Sequence, residues 1–524
     1  MRATLLAGLL AGVNALFAGQ DCAALAKLSL PDTTIARAES LAGGAFTPPG
    51  HPPISHLPAF CRVSGTIKPS MDSDILFEVW MPAAGWNGRF FGVGNGGFAG
   101  SISYDQMASV LAHGYATAST DTGHRGGMAD ATWARQHPEK VIDFGYRAIH
   151  DLTVNAKSIV AAYYGGPPAH SYFSSCSNGG RQALMEAQRY PGDYDGIIAG
   201  APANYWTHLL ANAVWNLLAL QGDAYIPSQK LPAIQSAALA ACDALDGAKD
   251  GVIADPVQCR FDPSVLQCQG TETDSCLTAP QVDALKKLYA GGHLSDGKQL
   301  FPGYTPGGEA EQGGWSLWIT GSAPQRSSMH TFGAQFFFGT QFFRNMMFDD
   351  PRWDYHTFNV DRDLKATDEK LAPILNATDP DLSRFQSRGG KLILYHGWSD
   401  AAIAPRNTID YYESMAAKMG QRRADGFVRL YMVPGMEHCI GGPGPSSFGQ
   451  FGGGSGDADY DMQAALERWV EKGIAPGTII GEKRRNDLDP TSPLLRAMPI
   501  CVWPKAPRYL GKGSTNDAAN FTCY

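Results

Sequence analysis

Charge is scarce in this sequence, and none of it builds up as a positive surplus. Asp, Glu, Lys and Arg make up 18% of the 524 residues, and 50 acidic against 42 basic side chains leave a formal net charge of −8. Gripping a phosphate backbone takes a basic patch, and none is visible, so nucleic acid is excluded as the expected partner. The ten cysteines form no CxxC pair, which argues against a zinc site. Past the first twenty residues no apolar run is long enough to cross a bilayer, so no membrane partner is expected. Internal repeats are absent, and low complexity is confined to the loop "GGPGPSSFGQFGGGSG". The glycine-rich stretch "GNGGFAG" lacks both the P-loop lysine and the Rossmann spacing, which excludes a phosphate cradle.

What is present is the composition of a globular protein, with 44% apolar residues and 60 glycines that imply many loops and tight turns. The length is great for one compact domain and implies either one large domain with a big insertion or two domains. The first residues, "MRATLLAGLLAGVNALFAGQDC", have the form of a secretory leader. Arg2 gives a short positive start, residues 4–17 are almost wholly apolar, and the small residues Ala18 and Gly19 follow. Residues 1–19 are read as a signal peptide, and the mature chain as secreted, extracellular or periplasmic. An even count of ten cysteines in an exported chain favours disulfides. Chain order suggests Cys22 with Cys61, Cys242 with Cys259, Cys268 with Cys276 and Cys501 with Cys523. Cys176 and Cys439 remain, far apart in sequence.

Strands alternate with helices over much of the chain, which predicts an α/β fold with a parallel sheet. Strands are expected at 76–81, at 88–100 running into the glycine-rich loop, at 114–124 with a polar end, and at 171–176. Helices are expected at 143–164 and 178–190, and another strand lies in "YDGIIAGAPA". From about 205 to 385 the alternation is lost, and tryptophans, aromatic runs such as "FGAQFFFGTQFF" and two local cysteine pairs take its place. It returns with strands in 389–400 and 426–439, and with helices at 406–420 and 461–473. Residues 20–204 and 386–524 are therefore read as one catalytic domain, and 205–385 as a lid domain inserted in the second half of its sheet.

The stretch Ser175-Cys176-Ser177-Asn178-Gly179 has the shape of a G-x-S-x-G elbow, with serine in place of the first glycine. A serine hydroxyl is a poor nucleophile until a base takes its proton and an acid orients the base. A sharp strand-to-helix turn lifts the hydroxyl clear and offers N–H groups to an oxyanion. By itself the stretch also fits an ordinary turn. Asp400 directly follows the strand "KLILYHGWS", and His438 follows "FVRLYMVPGME". Alone, the first reads as a turn former and the second as a structural histidine. Together they stand in the order nucleophile, acid, histidine, each at a strand end, and that order favours catalysis. A Cys176–Cys439 disulfide would tie Ser177 to His438 across a loop of about 260 residues, worth roughly 4–5 kcal/mol in the chain-entropy model.

The Cys-Ser, Asp and His-Cys combination resembles the tannase and feruloyl esterase family of α/β-hydrolases, which includes mono(2-hydroxyethyl) terephthalate hydrolase. The resemblance extends over nearly the whole mature chain. It implies an α/β-hydrolase fold with a lid, a bonded pair Cys176–Cys439, Ser177 as nucleophile, His438 as general base and acid, and Asp400 as its orienting carboxylate. Backbone N–H groups of Asn178 and of a glycine in "GNGGFAG", taken as Gly97, would form the oxyanion hole. In "CDALDGAKDGVIADPVQC" the acidic residues by themselves suit either calcium or a solvated acidic turn; the pattern is not an EF-hand. The resemblance implies a structural Ca2+ held by Asp243, Asp246, Asp250 and the carbonyls of Ala248 and Val252, with no organic cofactor.

The expected substrate is a small aromatic ester of the feruloyl type, free or attached to plant polysaccharide or tannin. Gallate esters and terephthalate monoesters are the alternatives within the family. The insertion holds Trp315, Trp318, Phe332, Phe336, Phe337, Phe338, Phe342 and Phe343, which can face an aryl group or simply form the lid core. His396, Trp398 and Ile403 flank Asp400 and are expected to line the pocket. A catalytically silent hydrolase fold kept for binding, and a serine peptidase, are the competing classes. The first would usually have lost a triad member, and all three are present; the paired cysteines point to the esterases rather than to a peptidase.

Overall fold

Nine strands pair into one sheet in the computed structural model, which describes residues 21–322, 333–489 and 491–524. The leader read at 1–19 and Phe332 lie outside the described residues. The strands are β1 (Thr33–Leu41), β2 (Phe60–Ile67), β3 (Ile75–Pro82), β4 (Arg89–Val93), β5 (Ala116–Thr120), β6 (His170–Cys176), β7 (Gly196–Gly200), β8 (Lys391–Gly397) and β9 (Val428–Val433). Their order across the sheet is β1-β2-β3-β5-β4-β6-β7-β8-β9. The first four in that order pair antiparallel. From β5 across to β9 every pairing is parallel.

The longer helices are α1 (Tyr104–Ala112), α2 (Ala148–Tyr164), α3 (Asn178–Arg189), α4 (Trp206–Ala219), α5 (Leu231–Cys242), α6 (Ala279–Ala290), α7 (Ala334–Gln341), α8 (Val360–Leu375), α9 (Arg406–Met419) and α10 (Met462–Lys472). A parallel sheet must be covered on both faces, so its strands are apolar on both. In β6, Phe173 packs with α2, α3 and α9 on one face, while Tyr172 packs with α1 and α10 on the other. Leu392 and Leu394 alternate with Ile393 and Tyr395 in the same way along β8. Such side chains contribute about 1.5–3 kcal/mol each on full burial. This is the α/β-hydrolase arrangement, with the C-terminal ends of the parallel strands opening onto one edge.

Helices α4 to α8 all lie in the segment between β7 and β8. Their core is separate: Trp315, Phe342 and Phe343 pack with Ile234, Leu285 and Leu371. The same cluster reaches Phe98 in the glycine-rich loop and Ala401 to Ala404 after β8, so the insertion rests on the edge where the strands end. Five disulfides join Cys22–Cys61, Cys242–Cys259, Cys268–Cys276 and Cys501–Cys523, the pairs that chain order suggests, and Cys176–Cys439, the pair that the resemblance implies, and no cysteine is free. Among the described residues no helix is long and apolar enough to cross a membrane.

Candidate active site

Ser177 sits between β6 and α3 with φ +65° and ψ −125°, a backbone conformation that costs a non-glycine residue roughly 1–3 kcal/mol. Its surroundings hold it there. The Ser177 N–H donates to the Gly200 carbonyl (2.9 Å), and its own carbonyl accepts from Ala203 and Arg181 (both 3.1 Å). The glycines that follow are required by space. A Cβ at Gly179 would fall 1.9 Å from Ser175 Oγ, and one at Gly180 would fall 2.3 Å from the Gly200 carbonyl oxygen. Arg181, fully buried, braces the turn by donating to Asn178 Oδ1 and to the carbonyls of Phe144, Gly145 and Leu375.

Asp400 and His438 come from the loops after β8 and β9. The His438 Nδ1–H donates to Asp400 Oδ2 at 2.7 Å. The other carboxylate oxygen, Oδ1, accepts from the N–H groups of Ala402 (2.8 Å) and Ile403 (2.9 Å). Burial alone would raise the pKa of Asp400, but the charge of His438 and the hydrogen bonds from His396 and His438 outweigh it and hold the group well below the usual carboxylate range. The neighbouring Glu437 differs. It is buried, neither carboxylate oxygen has a partner, and burial followed by the charges of Asp400, Glu311 and Glu309 pushes its pKa well above the ordinary value. That favours its neutral form.

The Cys176–Cys439 bond, with Cα atoms 6.0 Å apart, fastens the residue before Ser177 to the residue after His438. Ser177 and His438 then line one cavity of about 310 Å³, together with Gly97. Among the described residues, the N–H groups of Gly96, Gly97 and Asn178 have no hydrogen-bond acceptor. Such free donors beside a serine are what an oxyanion needs. Gly97 itself has φ +55°, and a Cβ there would meet the Met128 carbonyl oxygen at 2.3 Å. The loop is held by Asn95, whose N–H donates to Gln182 Oε1 and whose side chain donates to the carbonyls of Ser101 and Thr120.

The arrangement unites a serine on a strained elbow, a histidine on a buried carboxylate and unpartnered N–H groups, which is the equipment for acyl transfer. A family model described as tannase and feruloyl esterase matches residues 61–524. The chain belongs to this family. It is 45% identical to an uncharacterized esterase of Xanthomonas campestris pv. campestris, over 98% of this chain and 93% of that one. It is 33% identical to a probable feruloyl esterase B-1 of Aspergillus oryzae, over 90% of this chain and 85% of the relative. The crystal structure of feruloyl esterase B from Aspergillus oryzae matches with a TM-score of 0.87 at 30% identity, covering 96% of this chain and 99% of that one. Tannin acyl hydrolase from Aspergillus niger, 23% identical, shares the fold with a TM-score of 0.74 over 94% of this chain and 92% of its own. This family member is accordingly a carboxylic-ester hydrolase.

The walls of the esterase's cavity are mostly apolar. Helix α4 contributes Leu209, Leu210 and Ala213, the insertion adds Trp318 and Phe338, and Ile403 lies among them. The rings of Trp318 and His438 meet edge to face with centroids 5.0 Å apart. Trp315, Phe342 and Phe343 are instead buried in the core of the insertion, and Phe336 and Phe337, which pack against each other, are not among the cavity's lining residues. Two expectations need correction. His396 does not line the cavity: β8 extends to Gly397, so its ring is fully buried behind Asp400, with Nε2 3.1 Å from Asp400 Oδ2 and Nδ1 2.7 Å from Thr408 Oγ1. Trp398 is absent from the lining too. It is 4% exposed, packed in the core on the α9 side with Trp503 near its ring. The support given by His396 and by the Asn95–Gln182 pair escapes sequence reasoning, since neither has a motif beyond a polar residue near a strand end.

The acidic loop stands far from this cavity in sequence. Asp243 accepts from the N–H groups of Asp250 (3.3 Å) and Gly251 (3.1 Å), Asp246 from Ala248 (2.9 Å) and Asp250 from Val252 (3.2 Å). One oxygen of Asp246 and one of Asp250 remain buried without a hydrogen bond. Arg496 lies 3.7 Å from Asp250 and is the nearby cation. Burial, then the charges of Asp250 and Asp243, push Asp246 up to about 6. The three carboxylates are spread too widely to form a tight side-chain cluster, so a cation there would need the carbonyls of Ala248 and Val252 as well. All five are oxygen donors, the set that a large hard cation accepts.

Proposed function

We infer that this family member is an exported serine esterase that cleaves aromatic, feruloyl-type esters through an acyl-enzyme. The observation that carries the reading is that Ser177, His438 and the free N–H groups of Gly96 and Gly97 line one mostly apolar cavity, with the free N–H of Asn178 next to Ser177 in the chain. Ser177 Oγ attacks the ester carbonyl as His438 Nε2 takes its proton, and the oxyanion settles on the N–H groups of Asn178 and Gly97. His438 returns the proton to the leaving alcohol, and water then hydrolyses the acyl-serine by the same route. Asp400 keeps the imidazole in the Nδ1–H tautomer and stabilises its charged form.

An aryl acyl group suits the Trp318 and Phe338 faces and the leucines of α4. The names of the feruloyl esterase B relatives support the same choice. A gallate ring would bring three hydroxyls against apolar walls, each to be desolvated or partnered, and it ranks below for that reason. Five disulfides agree with an oxidising compartment and with the leader pattern of the sequence. Ca2+ at Asp243, Asp246 and Asp250, with the carbonyls of Ala248 and Val252, would neutralise the orphaned carboxylate oxygens and brace the lid; it takes no part in the reaction.

The deciding experiment is product analysis on purified protein with methyl ferulate, methyl gallate and mono(2-hydroxyethyl) terephthalate side by side, with Ser177→Ala as control. Release of ferulate that falls by roughly 10⁶ in kcat in the variant is the expected result. Release that survives the substitution removes Ser177 from the mechanism, and preferential release of gallate or terephthalate reassigns the substrate.

A further inference from the structure

A second group of ligating side chains lies away from the ester cavity and takes no part in the chemistry above. His150 comes from α2, Glu186 from α3 and Asp193 from the turn before β7. One ligand atom from each lies within 4.8 Å of the others, and among the described residues no other set of three His, Cys, Asp or Glu side chains does so. Glu186 is 1% exposed, its carboxylate oxygens receive no N–H donor, and the side chain it faces is the Asp193 carboxylate. His150 Nδ1 stands 2.6 Å from Asp193 Oδ2, and its ring lies flat on Tyr190 with centroids 3.7 Å apart, which fixes its direction. Lys157 approaches Asp193 as well, but it donates to the backbone carbonyl and leaves the carboxylate oxygens to the cluster.

We propose that His150, Glu186 and Asp193 form a binding site for a divalent cation of the zinc class. A buried carboxylate without donors must hold a proton or meet a cation. One imidazole nitrogen with two carboxylates is a ligand set for Zn2+, Co2+ or Mn2+, whereas Ca2+ and Mg2+ take oxygen alone. Three protein ligands leave a position for water. The site has a way in, because the His150 side chain is 30% exposed at the mouth while Glu186 forms the floor. Glu186 lies about two turns along α3 from Asn178. A bound ion would therefore not touch the ester. It would fasten the helix that presents Ser177 to α2 and to the turn leading into β7.

The test is calorimetric titration of chelator-treated, dialysed protein with ZnCl2, carried out in excess CaCl2 so that the acidic loop at 243–252 is occupied. Wild-type protein is expected to show one saturable site and a rise in Tm on saturation. Glu186→Gln and His150→Ala are each expected to weaken binding by at least about tenfold and to abolish the rise. Absence of saturable binding, or binding that survives both substitutions, overturns the proposal and leaves Glu186 and Asp193 as a pair sharing a proton. Should Glu186→Gln fail to fold, His150→Ala, at a partly exposed position, decides alone.

Discussion

Asp400 gives one oxygen to two backbone N–H groups and the other to two histidines. The second histidine, His396, has its protonation pattern set by its partners. Its Nε2 faces only acceptors, Asp400 Oδ2 and the Ile403 carbonyl (3.1 Å), so that nitrogen carries the proton. The Thr408 hydroxyl can then donate to Nδ1, so both ring nitrogens are partnered. His396 thus positions the carboxylate on which His438 depends. His396→Ala is expected to lower kcat by roughly ten- to a hundredfold with KM little changed, the penalty typical of misplaced catalytic groups. His396→Gln, which keeps an N–H donor, should restore part of the loss; equal losses in the two variants would reduce His396 to core filling. Ser177, Asp400 and His438 stood out as candidates in the sequence because each lies in the turn or loop that follows a strand: Ser177 directly after β6, Asp400 three residues beyond β8 and His438 five beyond β9. His396 was read as pocket lining because its role depends on how far β8 extends, and that is set by pairing with β7 and β9 rather than by any local signal.

Elements are joined here by covalent and ionic ties that can be tested separately. The Cys176–Cys439 bond closes a 263-residue separation and fastens the β6–α3 elbow to the loop after β9. Replacing both cysteines by serine should lower Tm and activity together, with a stability loss of up to about 5 kcal/mol in the chain-entropy model. Thermal unfolding and kcat/KM on the same preparation check it, and a Tm loss without a rate loss would separate the bond from the site geometry. The acidic loop yields a prediction with a definite sign. Asp246 is raised from its ordinary 3.8 to about 6, so between those values the native state binds more protons than the unfolded chain. Stability then falls as pH rises from about 4 to 6, by at most about 3 kcal/mol. Bound Ca2+ favours the carboxylate and should flatten that fall. Melting curves at several pH values, with chelator and with calcium, read it directly. Most elements were legible as alternating apolar runs, but β1 and β2 were not. β1 is an edge strand with an irregular burial pattern and a register shift between Ile35 and Arg37, so period-two alternation is lost. The helix expected at 143–164 instead begins with a π turn at Asp143–Arg147, where the carbonyls of Phe144 and Gly145 accept hydrogen bonds from Arg181.

At the scale of the whole molecule the sheet and the insertion have different tasks. The sheet edge supplies Ser177, Asp400, His438 and the glycine-rich loop, while the segment between β7 and β8 supplies most of the apolar wall. The loss of strand–helix alternation after about residue 205, with the aromatic runs there, pointed to an insertion, and helices α4 to α8 do lie between β7 and β8. It did not show which aromatics face the cavity, because Trp315 and Trp318, three residues apart on one short helix, end up in core and cavity respectively. The division of labour implies that selectivity can be altered without touching the chemistry. Phe338 is the position for this: it stacks on Trp318 with centroids 6.1 Å apart and packs on Phe98, yet it makes no ring contact with His438. Removing its ring from the wall should cost an aryl substrate about 1–3 kcal/mol of transition-state binding, or roughly 10- to 100-fold in kcat/KM. A small acetate ester, which does not reach that wall, should be hydrolysed by Phe338→Ala at nearly the wild-type rate. The ratio of kcat/KM for methyl ferulate to that for ethyl acetate is therefore the quantity to measure. A drop in the ratio places the acyl group against the insertion, whereas a parallel fall for both esters would mean that the ring supports the catalytic residues and that the aryl group lies elsewhere.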